Sequence, residues 1–100
     1  MAIVASGLVQ QDEIRERVKK LEELFANDPE VARIVHRLDE DWSGDSSLFI
    51  DVVLIKRTPA AATVSRLSEQ IANALLRVVR SEELGLHSYF NFVSAPENGR

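Results

Sequence analysis

The sequence predicts a single α+β domain, a two-layer sandwich in which two helices cover one face of a three- or four-stranded mixed sheet. Two segments carry apolar residues at helical spacing, and three others are rich in strand-forming residues, in the order helix, strand, strand, helix, strand. Each helix has one apolar stripe to bury, and one face of a sheet is the simplest surface that both can share.

The first helix is predicted over 12–26, where apolar residues line one stripe and charged residues fill the rest. Asn27 and Pro29 end it. Strands follow at 31–39 and 48–56, and the polar connection between them predicts an antiparallel hairpin. Because the second strand is apolar on both faces, it is predicted to be central.

The second helix is predicted to enter at Thr58-Pro59 and to continue to about Arg80, before a break at Gly85. An aromatic strand at 87–93 completes the order α-β-β-α-β. An additional strand at 2–5 is the alternative, and it would give the ferredoxin-like order βαββαβ.

The composition excludes several classes of function. One hundred residues with 45% hydrophobic content form one domain, predicted to span 1–93 with a disordered tail at 94–100. Sixteen acidic against twelve basic residues give a net charge of -4, so direct nucleic-acid binding is not expected. Without cysteine there is no disulfide framework or thiolate metal site. No segment resembles a signal peptide or a membrane span, and a cytoplasmic location is expected.

Carboxylates concentrate around the hairpin connection. Asp39, Asp41, Ser43 and Gly44 copy the first half of a calcium loop, but Ile50 stands where the bidentate glutamate is expected. One interpretation is a Mg²⁺ or Ca²⁺ site built from Asp39, Asp41 and Asp51. The incomplete pattern favours the other, a solvated acidic turn whose side chains cap its own amides, with no cofactor.

Aromatic residues in the hairpin connection and in the last strand indicate a binding surface. Trp42 lies among carboxylates, where the indole either folds back on the sheet or anchors a partner. Tyr89 alternates with Phe90 and lies either at a wet rim or in an apolar patch, which would favour self-association through the open face or an edge. The predicted partner-binding residues are Asp39, Asp41, Trp42, Asp45 and Tyr89.

Asp51 is the only acid in its apolar strand. It is interpreted either as a metal ligand or, with greater weight, as a solvent-facing residue or a cross-strand partner of Arg33 or Arg37.

The run from Gly44-Asp45 to Asp51-Val52-Val53-Leu54-Ile55, between two helices, resembles the palm of the minimal nucleotidyltransferases, which supply antitoxins to HEPN-type ribonuclease toxins. The blocks 39–45 and 84–92 also look like those of small uncharacterised bacterial proteins. The resemblance implies that Asp51 matches the second aspartate of an Asp-x-Asp metal pair. Phe49 replaces the first, and the Gly-Ser turn is not present.

Two-metal chemistry needs several convergent carboxylates, and no enzyme motif is complete in this sequence. The main hypothesis is therefore a noncatalytic protein-interaction module, an antitoxin-like partner of a HEPN-type toxin. The alternatives are a metal-dependent nucleotidyltransferase or small metal-responsive regulatory domain, and a homo-oligomeric structural domain.

Overall fold

The computed structural model describes residues 2–94 of the chain, with side chains from residue 11 onward. Its elements follow in chain order: α1 (Ala2–Leu24), β1 (Val31–Glu40), β2 (Ser46–Leu54), α2 (Ala61–Ala74), a π-helical turn (Leu75–Val79), a 3₁₀ turn (Ser81–Leu84) and β3 (His87–Ser94). This order confirms the predicted α+β class.

The three strands form one mixed sheet in the order β1-β2-β3. β1 and β2 are antiparallel, and β2 and β3 are parallel. The predicted hairpin and the central position of β2 are both confirmed. Within the described residues, β1 and β3 each leave one edge without a neighbouring strand.

The hydrophobic core lies on the face of the sheet that carries the even-numbered strand residues. Ile34, Leu48, Ile50, Val52 and Leu54 belong to one buried cluster with residues of both helices, and Phe90 and Phe92 pack against it. The helix residues of the cluster include Ile14, Val18, Leu21, Leu67 and Ile71. Because the odd-numbered residues 49, 51 and 53 of β2 lie outside this cluster, both helices cover the same face.

The side-chain alternation of β1 changes near its start. The register of β1 against β2 shifts between Val31 and Arg33, so Val31 and Ile34 are both buried while Ala32 is exposed. Strict alternation from Ile34 would place Ala32, and not Val31, on the buried face. A bulge inserts one extra residue into the strand, so the residues before it face the side opposite to the one that strict alternation predicts.

The alternative strand at 2–5 is wrong, because α1 begins at Ala2 and is continuous to Leu24. Adding a residue to an existing helix costs less than starting a new element, and Gly7 alone does not end a helix. The ferredoxin-like order therefore does not apply to residues 2–94.

The second helix begins later than predicted and does not remain α-helical. Ala60 occupies the N-cap position of α2 without a side-chain hydrogen bond. The π-helical turn places the Arg80 N–H 2.8 Å from the Leu75 carbonyl oxygen. Arg80 then adopts a left-handed conformation with a φ of 47°. Such backbone is costly for a residue with a side chain, so its surroundings must hold it in place.

Two strand boundaries also differ from the prediction. β2 spans Ser46–Leu54 where 48–56 was predicted, and β3 includes Ser94, which was assigned to the tail. The rest of that tail, 95–100, lies outside the described residues. No helix in the described part of the chain combines the length and apolar character needed to cross a bilayer.

Candidate protein-binding face

The odd-numbered face of the sheet is not covered by either helix. The cross-strand register places twelve residues on this open face. The row beside the hairpin loop holds Asp39, Ser47 and His87. Three further rows follow, of which the second is the middle row: Arg37, Phe49 and Tyr89; Val35, Asp51 and Asn91; and Arg33, Val53 and Val93. Among the twelve, Ser47 and Val53 are buried, and the four residues from β1 are exposed. A sheet of which only one face is packed leaves apolar side chains in contact with water on the other.

Both edge strands carry an exposed apolar side chain on this face. Val35 on β1 is 44% exposed and Val93 on β3 is 39% exposed. Trp42, in the hairpin loop beside the face, is 83% exposed. Exposed apolar side chains on an uncovered sheet face are candidates for contact with a partner.

Trp42 is in contact with the open face despite its exposure. Its ring centroid lies 5.1 Å from that of Tyr89, and Tyr89 in turn stacks on Phe49 at 5.4 Å. The Arg37 guanidinium lies 4.4 Å from the centre of the Phe49 ring, within range for a cation–π interaction. The indole therefore contacts the sheet through Tyr89, as the first interpretation predicted, and most of its surface remains exposed. Its role as an anchor for a partner stays a prediction.

Asp41 organises the hairpin loop that carries Trp42. Its Oδ1 accepts hydrogen bonds from the Ser43 N–H (2.9 Å), the Ser43 hydroxyl (2.6 Å) and the Asp45 N–H (3.1 Å). Its Oδ2 accepts from the Tyr89 hydroxyl at 2.9 Å and lies 3.2 Å from the buried Ser47 hydroxyl. The predicted turn that caps its own amides is confirmed, and the same carboxylate also joins the loop to β3.

These hydrogen bonds shift two pKa values in opposite directions. The Ser43 hydroxyl, followed by Tyr89 and the two backbone amides, holds the pKa of Asp41 well below its ordinary value of 3.8. The bond to Asp41 raises the pKa of Tyr89 above its ordinary value of 10.0, and partial burial and the charge of Asp45 act in the same direction. Both shifts favour the ionised carboxylate and the neutral phenol.

Gly44 allows the loop to close. Its N–H donates to the Asp41 carbonyl oxygen at 2.9 Å, and its φ is +87°, a conformation that residues with a side chain rarely adopt.

The predicted metal ligands occupy different surroundings. Asp41, Asp45 and His87 place one possible ligand atom each within 4.8 Å of one another. Asp39 instead forms an ion pair with Arg37 at 3.1 Å, and Asp51 lies in the middle row of the open face. Both oxygens of Asp41 already accept hydrogen bonds, and the Asp45 carboxylate lies 3.3 Å from the His87 imidazole. The predicted ligands Asp39, Asp41 and Asp51 therefore do not form one cluster within the described residues.

Asp51 makes no ion pair or hydrogen bond within the described residues. Its cross-strand neighbours are Val35 and Asn91, so the pair with Arg33 or Arg37 does not form. The two arginines occupy the diagonal positions, where Arg37 instead contacts Phe49 and Asp39. Asp51 is half-buried, with apolar neighbours before and after it on the same face.

Sequence reasoning identified Trp42, Asp41 and Tyr89, which the structure brings together, but it missed the contribution of Arg37 to this surface. The signal was present in the alternation of β1, because Arg37 and Phe49 fall directly opposite once the hairpin register is known. The register depends on where the loop closes, which the sequence left open.

The fold and the face together define a small α+β domain with one uncovered sheet face. No family model matches the chain, and neither curated proteins nor solved structures give a match.

Proposed function

We propose that this protein is a noncatalytic protein-interaction module that binds its partner through the open face, with Trp42 as the anchor. The observation that carries the proposal is the combination of high exposure and fixed position at Trp42. Its indole is 83% exposed, yet it rests on Tyr89, whose hydroxyl is bonded to Asp41. An aromatic side chain already held in place loses little entropy when a partner covers it.

The partner has a cationic side chain at the centre of its contact surface. Any protein that covers the middle row of the open face removes Asp51 from water, and that carboxylate has no partner of its own among the described residues. An unpaired buried charge costs several kcal/mol by general estimates, so a complementary Lys or Arg is needed. Exposed Asp39 and Asp45 at the loop end would add electrostatic steering toward a basic surface.

A second copy of this chain fits the open face less well. If two copies packed face to face with β2 centred over β2, their Asp51 carboxylates would meet at the middle of the interface. Like charges in a dehydrated interface are destabilising. The central carboxylate therefore favours a different protein on this face.

The narrower form of the proposal is an antitoxin-like role with a HEPN-type ribonuclease as the partner. It is supported by the resemblance of 44–55 to the nucleotidyltransferase palm, and by the chemistry of a ribonuclease, whose RNA-binding surface must be basic. An acidic loop and a central aspartate would suit such a surface.

Nucleotidyl transfer itself has less support. It would require Asp51 to hold metal together with Asp39 or Asp41. Asp41 is already bonded through both carboxylate oxygens, and Asp39 is paired with Arg37. No specific observation in the described residues favours that activity over binding.

The proposal is tested by the affinity of a partner isolated from the organism that encodes the chain, or of a HEPN-type ribonuclease encoded beside it. Trp42→Ala should weaken binding roughly 30-fold, the effect expected of a central aromatic anchor worth about 2 kcal/mol. Asp51→Asn should weaken binding by at least about tenfold, because the cation of the partner loses its counter-charge.

Leu24→Ala is the matched control, because Leu24 is an exposed apolar residue (60%) at the end of α1 and not on the open face. It should leave the affinity unchanged. Retention of wild-type affinity by the Trp42→Ala, Asp51→Asn double variant would reject the open face as the binding surface.

A further inference from the structure

We infer that the free edge of β3 pairs with β3 of a second copy, so that two protomers form one continuous six-stranded sheet. This inference concerns the strand edge, and it stands independently of the partner proposed for the open face.

The two edges of the sheet differ in how well they are protected. β1 has two features that disfavour pairing with a further strand. It has a bulge between Val31 and Arg33, and it has charged side chains over much of its length. β3 has the sequence His-Ser-Tyr-Phe-Asn-Phe-Val-Ser, with no proline, lysine or bulge. Its eight residues run in unbroken register beside β2, and no described strand lies on its other side.

A regular, uncharged and aromatic edge is a template for another strand, because its outward N–H and C=O groups lack ladder partners. A second copy is the simplest occupant. Directly opposed residues on paired strands share a face, so an antiparallel β3 pair must match core-facing residues with core-facing ones.

The register centred on Asn91 satisfies this condition for residues 88–94 of the strand. It opposes Asn91 to Asn91, Phe90 to Phe92 and Tyr89 to Val93 across the two-fold axis. Phe90 and Phe92 lie on the core face and are only partly buried within one protomer. Aromatic pairs across neighbouring strands are stabilising, and at this seam they would shield one another.

The symmetry has a geometric consequence. Because the core faces match across the seam, the helices of both protomers lie on one side of the joined sheet. Both open faces, each with its Trp42, then lie on the other side. The dimer would present two copies of the surface described above side by side.

The test is the dissociation constant of the full chain measured by sedimentation equilibrium, with a charge-swap pair at Asn91. This side chain is exposed, so substitution is not expected to disturb the core. Asn91→Lys and Asn91→Asp place like charges opposite each other at the two-fold axis, and each alone should weaken self-association roughly fivefold or more. An equimolar mixture of the two variants should recover dimer formation.

Val35→Lys is the matched control, because it adds the same charge to an exposed position at the middle of the other edge strand. It should leave the dimer intact, and circular dichroism of each variant verifies folding. Hydrogen exchange should show β3 amides whose protection increases with protein concentration.

A monomeric wild-type chain would overturn the inference, whether its β3 amides are protected or not. A dimer that Val35→Lys disrupts, or one that the mixture of Asn91 variants does not restore, would also overturn it. Failure to bind any partner protein would leave these outcomes unaffected.

Discussion

At the scale of single residues, Asp41 has the largest structural role in the candidate site. It joins the backbone amides of the loop to the only tyrosine of the chain, and through Tyr89 it positions the only tryptophan. One carboxylate therefore controls both the closure of the loop and the support beneath Trp42.

Replacing Asp41 should change the titration of Tyr89. The pKa of Tyr89 is raised above 10.0 mainly by its bond to the Asp41 carboxylate, so Asp41→Asn should return its midpoint toward that value. Because Tyr89 is the only tyrosine, ultraviolet absorbance follows its ionisation directly. Asp39→Asn is the control, since Asp39 contacts Arg37 and not the phenol. An unchanged Tyr89 midpoint in Asp41→Asn would contradict the hydrogen bond.

The same substitution should change how stability depends on acid. A carboxyl whose pKa is lower in the folded state stabilises the fold above its unfolded value of 3.8, and this stabilisation is lost as the pH falls toward the lower folded value. Asp41→Asn removes the titrating group, so its free energy of unfolding should decrease less between pH 4 and pH 2 than that of the wild type. Urea denaturation at a series of pH values measures the difference. Parallel curves for the two proteins would exclude this role.

At the scale of elements, Arg17 supports the irregular end of the second helix. It is 13% exposed, and its guanidinium donates to the carbonyl oxygens of Val79 and Arg80 at 3.0 and 3.1 Å. It also forms ion pairs with Glu13 and Glu83. Carbonyl groups at a helix end lack hydrogen-bond donors within the helix. Here the Arg17 side chain of α1 provides the donor for two of them.

Removing the Arg17 side chain should lower the stability of the fold. Arg17→Ala should lower the free energy of unfolding by about 2 kcal/mol, because two carbonyl oxygens lose charged donors. Arg15→Ala, on the same helix but 69% exposed, should change it by less than about 0.5 kcal/mol. Equilibrium denaturation of the two variants provides the comparison. Equal effects would show that Arg17 does not support the left-handed backbone at Arg80.

The elements were predictable to different degrees from the sequence. The pattern of β2 identified a central strand because Asp51 is the only polar residue between Leu48 and Leu54. The π-helical turn had no such signal, because it depends on Arg17, 62 residues away from Val79. The start of α1 was missed because residues 2–5 are apolar, and such a short run is typical of strands and helices alike.

At the scale of the whole molecule, the separation of the two sheet faces determines what the protein can do. The even-numbered face is used by the core, and the odd-numbered face holds the cluster of Trp42, Tyr89 and Phe49. The sequence predicted the residues of this site better than its geometry. The stack depends on the hairpin register and on the parallel pairing of β3, both of which arise from long-range contacts.

Divalent cations should have little effect on the folded protein, because the oxygens of Asp41 already have donors. The melting temperature should shift by less than one degree in millimolar Mg²⁺ or Ca²⁺, whereas a ligand at 100 times its dissociation constant would stabilise the fold by about 2.7 kcal/mol. Differential scanning calorimetry measures the shift, with Asp45→Asn as the control for ions at the loop. A large shift that Asp45→Asn abolishes would establish the metal site instead.

The most direct test of the central claim is the affinity of the isolated partner protein for the wild-type chain and for Trp42→Ala, measured by titration calorimetry. We expect roughly 30-fold weaker binding by the variant, with a free energy of unfolding within about 1 kcal/mol of the wild type. Equal affinities of the two proteins would contradict the proposal that Trp42 and the open face form the binding surface.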